Sequence, residues 1–158
     1  MCRRFFQATV QHRTSFTATG PLSVPRVVLP IRLSVGEGRF SPPIECQWDS
    51  GSELSVMSEA LARDLGIDLT GSEETRLLTL GDSGRDAWLV PRWVRFPGLC
   101  GYQFKFLFLV QKGSRDPLPL LGMLDTHQNF EVHSRQAEYF FFLADRHRGE
   151  TIPPDADC

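Results

Sequence analysis

The chain has 158 residues, of which 41% are hydrophobic and 23% are charged, proportions typical of one compact globular domain. Seventeen basic and nineteen acidic residues give a formal net charge of -2, so the composition gives no reason to expect a nucleic acid or an anionic membrane as partner. No apolar run approaches the roughly 20 residues of a membrane-spanning helix, and residues near the start lack the apolar stretch of a secretory signal. We therefore expect a non-secreted, cytoplasmic protein whose function comes from a local site.

The first part of the chain is basic and has no apolar periodicity. Gly20-Pro21, near the end of residues 1–22, marks the predicted boundary of the folded part, and the first acidic residue of the chain is Glu37. A flexible basic extension is predicted here, with a transit-like peptide as the alternative. The arginines that precede the first acidic residue are Arg3, Arg4, Arg13, Arg26 and Arg32.

The rest of the chain is predicted to be one folded domain over residues 23–145, followed by a disordered tail over 146–158. The tail is polar and contains Pro153-Pro154, which favours an irregular conformation.

The cysteines form no C-x-x-C pair, so neither a zinc site nor a disulfide framework is predicted. We expect free thiols, two of which, Cys46 and Cys100, pack as small hydrophobes. The four positions are Cys2, Cys46, Cys100 and Cys158.

A β-hairpin is predicted to lead into Asp49. Apolar and β-branched residues over 24–35 indicate a strand, and Pro30 within them indicates an edge position or a bulge. A glycine-rich turn at 36–38 follows, and residues 44–48 alternate as a half-buried strand does.

Two short helices are predicted. Residues 58–66 begin with a serine that can cap the first turn, end with a glycine, and place Leu61 and Leu65 four residues apart. Residues 122–130 also have a helical pattern, with Asp125 near the start, where a carboxylate interacts favourably with the helix dipole.

A second hairpin is predicted from two strands, 75–80 and 85–90, that flank a turn at Gly81-Asp82-Ser83-Gly84. Many short strands with one or two short helices indicate an all-β fold, of the closed-barrel type. Further strands are predicted over residues 92–96, 103–110 and 138–143.

The chemistry-bearing motif is Asp49-Ser50-Gly51-Ser52. Such a string is common in loops for conformational reasons alone. Here it directly follows an apolar strand and precedes a short helix, so a carboxylate is placed on a rigid turn.

Four short motifs occur in one order and together resemble the retropepsin-like aspartic proteases. The resemblance spans about residues 24–143, and it implies a closed β-barrel that is active as a homodimer. The motifs are Trp48-Asp49-Ser50-Gly51-Ser52, Leu65-Gly66-Ile67, Gly81-Asp82-Ser83-Gly84 and Leu120-Leu121-Gly122-Met123.

The resemblance also implies a role for each motif. Asp49 would be the catalytic carboxylate of an aspartic endopeptidase, with Ser50, Gly51 and Ser52 supporting its loop. Gly81, Asp82, Ser83 and Gly84 would form a flap over an extended peptide substrate, and Leu120, Leu121 and Gly122 would pack behind the active site. No metal and no other cofactor is implied.

Two departures from the family pattern leave an alternative open. Ser50 stands where threonine is more common, and Trp48 replaces a smaller aliphatic residue. If Trp48 or the acidic Glu53 disturbed the carboxylate pair, the chain would be a catalytically inactive dimerisation or peptide-binding module. A monomeric hydrolase that pairs Asp49 with Asp125 is a further alternative, although no glycine follows Thr126 as the motif would require.

Two other groups of residues have more than one interpretation. The spacing of His127, His133 and His147 fits no zinc pattern, so solvated surface histidines are expected. The aromatic run Tyr139–Phe142 is interpreted either as an exposed interaction patch or as a strand of the core or dimer interface.

Overall fold

A computed structural model describes residues 5–77, 84–135 and 138–153. The described residues form twelve strands and two short helices, so the predicted mainly β class is confirmed, whereas the closed barrel stays a prediction. The strands are β1 (Phe5–Thr17), β2 (Gly20–Gly36), β3 (Arg39–Phe40), β4 (Ile44–Trp48), β5 (Ser55–Ser58), β6 (Glu73–Leu77), β7 (Arg85–Arg95), β8 (Tyr102–Gln111), β9 (Leu120–Leu121), β10 (Phe130–Arg135), β11 (Glu138–Leu143) and β12 (Glu150–Thr151). The helices are α1 (Glu59–Asp64) and α2 (Met123–Asn129).

The strands pair in the order β10-β11-β1-β2-β4-β9-β5-β8-β7-β6. β2 also pairs with β7, through Arg32 opposite Arg95 and Leu33 opposite Val94. β3 extends the sheet beside β2, and β12 pairs with β8. The path places β9 between β4 and β5, so β9 lies beside the end of β4 that leads to Asp49.

β8 shows how the sequence pattern builds the core. Phe104, Phe106 and Phe108 are fully buried, whereas Lys105 between them is exposed, as the two-residue period of a strand requires. The ring of Phe104 lies 4.9 Å from that of Phe130. Burying one such side chain contributes about 1.5–3 kcal/mol, so this aromatic cluster is a main source of stability.

Pro30 lies inside β2, where the sequence predicted an edge or a bulge. β1 pairs with β2 only as far as Val28, and β1 then continues beside β11 through Phe5–Ala8. Pro30 therefore stands beyond the β1 pairing, where no β1 residue needs a hydrogen bond from its missing N–H.

Both predicted helices are confirmed. Ser58 caps α1, because its hydroxyl oxygen accepts a hydrogen bond from the Leu61 N–H at 3.0 Å. Gly66 follows α1 with a φ of 72°, a left-handed conformation that favours glycine. α2 begins after Gly122, within the predicted range 122–130.

The structure differs from the sequence analysis at both ends of the chain. Residues 5–17, expected within a flexible extension, form β1, which pairs with β2 and β11. Within the segment expected to be a disordered tail, residues 150–151 form β12 beside β8. Neither segment has a periodic apolar pattern, and their strands are defined by backbone pairing instead.

The strands predicted over residues 85–90 and 92–96 are one continuous strand, β7. Pro91 lies within it, opposite Leu107 of β8. The two predicted strands flanked this proline, which has no N–H and so cannot donate a ladder hydrogen bond.

The cysteine expectation holds at one described position and is wrong at the other. Cys46 is a free, buried thiol whose Sγ lies 3.2 Å from the Pro119 carbonyl oxygen, and burial raises the pKa of this thiol. Cys100 is disulfide-bonded, so it is not a free thiol. Cys2 and Cys158 lie outside the described residues.

The aromatic run Tyr139–Phe142 belongs to β11, which lies between β10 and β1. Phe141 is fully buried, while Tyr139 and Phe140 are half-buried. Phe141 belongs to the core cluster and Tyr139 packs against it, so the core interpretation holds for these two residues, whereas Phe140 and Phe142 are half-buried outside that cluster. None of the helices in the described part of the chain has the length and apolar character needed to cross a membrane.

Candidate active site

Asp49 lies at the end of β4, on a loop of residues 49–54 that we name the Asp49 loop. β9 runs parallel to β4, with Leu121 opposite Trp48, and antiparallel to β5, with Leu120 opposite Val56. The Asp49 loop joins β4 to β5 and therefore passes over the end of β9. The loop is therefore held at both ends by strands of one sheet.

Hydrogen bonds within the Asp49 loop fix the carboxylate. The Gly51 N–H donates to Asp49 Oδ1 at 2.8 Å, and the Ser52 N–H donates to the Asp49 carbonyl at 3.2 Å. The Ser52 hydroxyl donates to the Leu54 carbonyl at 2.7 Å. Asp49 is half-buried, whereas Ser50 and Gly51 are exposed. The carboxylate is thus oriented by its own loop, and the residues that follow it face solvent.

The Asp49 loop is also hydrogen-bonded from behind. The Asp49 N–H donates to the Leu121 carbonyl at 3.0 Å, which holds the start of the loop against β9. The N–H groups of Met123 and Leu124 donate to the carbonyls of Ser52 and Glu53 at 2.8 and 2.9 Å. The first turn of α2 leaves these two N–H groups without helical partners, so the loop satisfies them and is itself held in place.

Gly122 lies against the backbone of the Asp49 loop. A Cβ at this position would lie 2.3 Å from the Leu54 carbonyl carbon and 2.8 Å from the Glu53 oxygen. Its φ of -86° is accessible to any residue, so the glycine is required by this close approach and not by backbone conformation. Its N–H donates to the Ser55 hydroxyl oxygen at 3.1 Å, and Ser55 is buried.

Trp48, one of the two departures from the family pattern, packs on β11. Its ring lies 5.7 Å from the ring of Tyr139 and 5.6 Å, edge-on, from that of Phe141. Successive side chains of a strand point to opposite faces of the sheet. The contacts with Tyr139 and Phe141 show that the indole of Trp48 lies on the face that packs against the core. Trp48 Nε1 is buried without a hydrogen-bond partner among the described residues.

The second predicted hairpin is formed by β6 and β7, which pair from Glu73 opposite Leu89 to Leu77 opposite Arg85. Gly84, at the base of the connection, has a φ of 82° that favours glycine. The other predicted flap residues, Gly81, Asp82 and Ser83, lie outside the described residues.

Asp125 is buried on α2. Its Oδ2 accepts a hydrogen bond from the Leu107 N–H of β8 at 2.9 Å. Burial raises the pKa of this carboxyl group, and the hydrogen bond from Leu107 partly offsets that effect. The neighbouring Thr126 hydroxyl donates to the Gly122 carbonyl at 2.6 Å. These contacts give Asp125 and Thr126 a structural role in holding α2.

The histidines are dispersed over the described surface. His127 is exposed on α2, and His133 Nε2 lies 3.7 Å from Glu131. His147 Nδ1 accepts a hydrogen bond from the Gly149 N–H at 3.1 Å. Within residues 5–77, 84–135 and 138–153, no group of three or more His, Cys, Asp and Glu side chains could hold a metal ion.

Ser55 is a site residue that the sequence analysis missed. A buried serine after a loop has no signature of its own, and its partner, Gly122, lies 67 residues away along the chain. The alternation in β4 and the order of the motifs predicted Asp49 and the Leu120–Gly122 segment. The hydrogen bonds that join them could be found only in three dimensions.

The sequence matches no protein-family model and no curated protein. Its structure is similar to the crystal structure of a retropepsin-like aspartic protease from Rickettsia conorii, with a TM-score of 0.56 and 17% sequence identity. The similarity covers 87% of this chain and 96% of that chain. The chain therefore has the fold of a retropepsin-like aspartic protease.

Proposed function

We propose that the protein is an aspartic endopeptidase, active as a homodimer in which each protomer supplies one Asp49 carboxylate. The observation that supports this best is the fixed position of that carboxylate. Asp49 Oδ1 accepts the Gly51 N–H at 2.8 Å, on a loop held from behind by β9 and α2. A general acid or base must be held by a rigid support to act on a bound substrate.

The proposed mechanism requires a second carboxylate close to Asp49. The monomeric alternative would use Asp125, but one oxygen of that carboxyl group accepts a hydrogen bond from the Leu107 N–H of β8. A two-fold axis beside the Asp49 loop would bring a second Asp49 to the first, because an isologous interface repeats the same residues on both sides. The homodimer is therefore part of the proposed active site.

The two Asp49 carboxylates would share one proton. Two like charges about 3 Å apart cannot both ionise easily, so the pair titrates with coupled apparent pKa values. The ionised member takes a proton from a water molecule that attacks the scissile amide carbon. The protonated member hydrogen-bonds the carbonyl oxygen and later passes a proton to the leaving nitrogen.

The neighbouring residues would support the carboxylates and hold an extended peptide. Gly51 orients Asp49 through its N–H, and the exposed Ser50 hydroxyl is free to hydrogen-bond across the two-fold axis. The β6–β7 hairpin, with Gly81–Gly84 at its connection, would close over the peptide and exclude water. Backbone groups of the flap and of the Asp49 loop would pair with the peptide as with an added strand.

The catalytically inactive module would bind peptide through the same surfaces without cleaving it. That alternative depended on Trp48 and Glu53 disturbing the carboxylate pair. The Trp48 ring packs on Tyr139 and Phe141, so its bulk is accommodated by β11. Glu53 is exposed, where water screens its charge.

A subunit-mixing experiment tests the proposal. A fixed amount of wild type is mixed with increasing Asp49→Asn protein, and peptide cleavage is measured after the subunits exchange. If both Asp49 residues act together, activity is proportional to the amount of wild-type homodimer. At equal amounts of the two proteins, about one quarter of all dimers are wild-type homodimers. Asp64→Asn, at an exposed aspartate on α1, is the matched control and should leave activity unchanged.

Two results would contradict the proposal. Activity that depends only on the amount of wild type, whatever the amount of Asp49→Asn, would indicate catalysis by single protomers. Equal cleavage by pure Asp49→Asn and wild type would show that Asp49 is not catalytic.

A further inference from the structure

The hairpin of β1 and β2 extends well beyond the rest of the sheet. β1 pairs with β2 from Thr9 opposite Val28 to Thr17 opposite Gly20. Pairing of β4 with β2 ends at Val27 opposite Trp48. Among the described residues, β2 therefore pairs with β1 alone over residues 20–26. We name residues 11–26 the β1–β2 arm.

The β1–β2 arm leaves the sheet at the end that carries Asp49. β2 and β4 are antiparallel, and β4 runs toward Asp49, so β2 residues before Val27 lie beyond Trp48. At about 3.3 Å per residue, Gly20 lies roughly 20 Å past the end of β4. Any second protomer that places its Asp49 beside the first must therefore lie within reach of this arm.

The arm also has the properties of a surface that needs a partner. A two-stranded hairpin is at best marginally stable in water without further packing. Leu22, near the tip, has 53% of its surface exposed. Burial of this side chain against another surface would stabilise both the arm and the contact.

A complementary surface lies beside the Asp49 loop. An open apolar hollow of about 530 Å³ is formed by Leu54 of the loop and the first turns of α2, and Leu124 at its edge is 48% exposed. Leu22 and Leu124 are the two exposed large hydrophobic residues in the described part of the chain. The residues that line this hollow, which we name the α2 hollow, are Glu53, Leu54, Met123, Leu124, His127 and Gln128.

We propose that the β1–β2 arm of each protomer packs into the α2 hollow of its partner, with Leu22 against Leu124. Both leucines are exposed in the single chain, so the arm does not cover the hollow of its own protomer. A second copy of the chain supplies both surfaces, because a two-fold axis places the arm of each protomer at the α2 hollow of the other. This inference rests on the homodimer of the proposed function and adds the surface that holds it together.

A double-mutant cycle on the dimer tests the contact. The dimer dissociation constant is measured by sedimentation over a dilution series for wild type, Leu22→Ser, Leu124→Ser and the double variant. Each single change should raise this constant about tenfold or more, because each symmetric contact is lost twice per dimer. The double variant should be weakened by less than the product of the single effects, because the two leucines contact each other.

Leu118→Ser is the matched control. Leu118 is half-exposed and precedes β9, at the opposite end of that strand from Asp49, so the dissociation constant should stay at the wild-type value. Hydrogen exchange gives a second measurement. Amides of residues 11–26 should exchange more slowly as protein concentration rises, while amides of the 36–40 turn should not change.

The outcomes separate this inference from the proposed function. Two results would overturn the arm contact while leaving an active dimer. In the first, the dimer dissociation constant of Leu22→Ser equals that of wild type. In the second, the effect of the double variant on this constant equals the product of the two single effects. An unchanged dimer constant with a raised KM in Leu22→Ser would also overturn it and would indicate that the arm covers substrate. A wild type that is monomeric and inert at every concentration would overturn the proposed function itself.

Discussion

Replacing Gly122 by alanine should disturb the Asp49 loop. The added Cβ would lie 2.3 Å from the Leu54 carbonyl carbon and 2.4 Å from its oxygen. Both contacts are with backbone, which cannot rotate away as a side chain can. Overpacking of this kind costs about 1–3 kcal/mol, and we expect about 2 kcal/mol in the free energy of unfolding.

The assay is urea unfolding at one fixed protomer concentration, because the stability of a dimer depends on concentration. With a slope near 2 kcal/mol per molar urea, the midpoint of Gly122→Ala should fall by about 1 M. The folded variant should also cleave peptide with a lower kcat, since relief of the contact moves the loop that carries Asp49. Displacement of the carboxylate from its working position reduces kcat strongly even when substrate still binds.

Gly36→Ala is the matched control. There the added Cβ would meet only the guanidinium end of Arg39, a flexible side chain that can move aside. The midpoint and kcat of this variant should stay close to those of wild type. If Gly122→Ala behaves like Gly36→Ala, the close packing behind the Asp49 loop is not what fixes the carboxylate.

Three further predictions concern residues around the site. Trp48→Phe removes an indole N–H that has no hydrogen-bond partner among the described residues, so it should cost about 1 kcal/mol or less and keep cleavage activity, whereas Trp48→Ala should cost about 3 kcal/mol by urea unfolding. Ser58→Ala should cost about 1 kcal/mol because it removes the cap of α1, whereas Ser134→Ala, at an exposed position on β10, should have no measurable effect. Asp125→Asn should become more stable relative to wild type as the pH rises from about 4 to 7. The pKa of the Asp125 carboxyl is raised in the folded state, so ionisation of this group in that range destabilises folded wild type but not the variant. A stability difference that stays constant with pH would contradict the role of burial.

The elements that the sequence predicted are those with a strong local pattern. α1 has a capping serine, two leucines four residues apart and a terminal glycine. β4 alternates apolar and polar residues, and β11 contains a continuous aromatic run and coincides with the predicted strand over residues 138–143. In each case the residues themselves determine the period, and tertiary contacts agree with it.

The elements that the sequence did not predict depend on distant partners. β9 has two residues, and it is a strand only because it lies between β4 and β5, which precede it by more than 60 residues. β1 consists largely of polar residues and is a strand because β2 and β11 pair with it. Local propensity is weak for such segments, and long-range pairing decides their structure.

The candidate site divides in the same way. The sequence predicted Asp49 and its loop from a motif, and Gly122 from its place after the flap. The structure adds the Ser55 hydroxyl and the N–H groups of Met123 and Leu124 as the bonds that join these segments. These hydrogen bonds join residues 52–55 to residues 122–124, which are far apart along the chain. No sequence pattern relates two such distant segments, so the bonds could not be derived from sequence.

Cleavage of a mixed peptide library by wild type and Asp49→Asn tests the central claim most directly. It should be measured between about pH 3.5 and 7, where a carboxylate pair that shares a proton is expected to act, and at two protein concentrations. The account predicts cleavage that requires Asp49, has a bell-shaped pH profile and rises more than linearly with protein concentration. A folded, dimeric wild type that is as inert as Asp49→Asn across this range would contradict it and would favour the peptide-binding module.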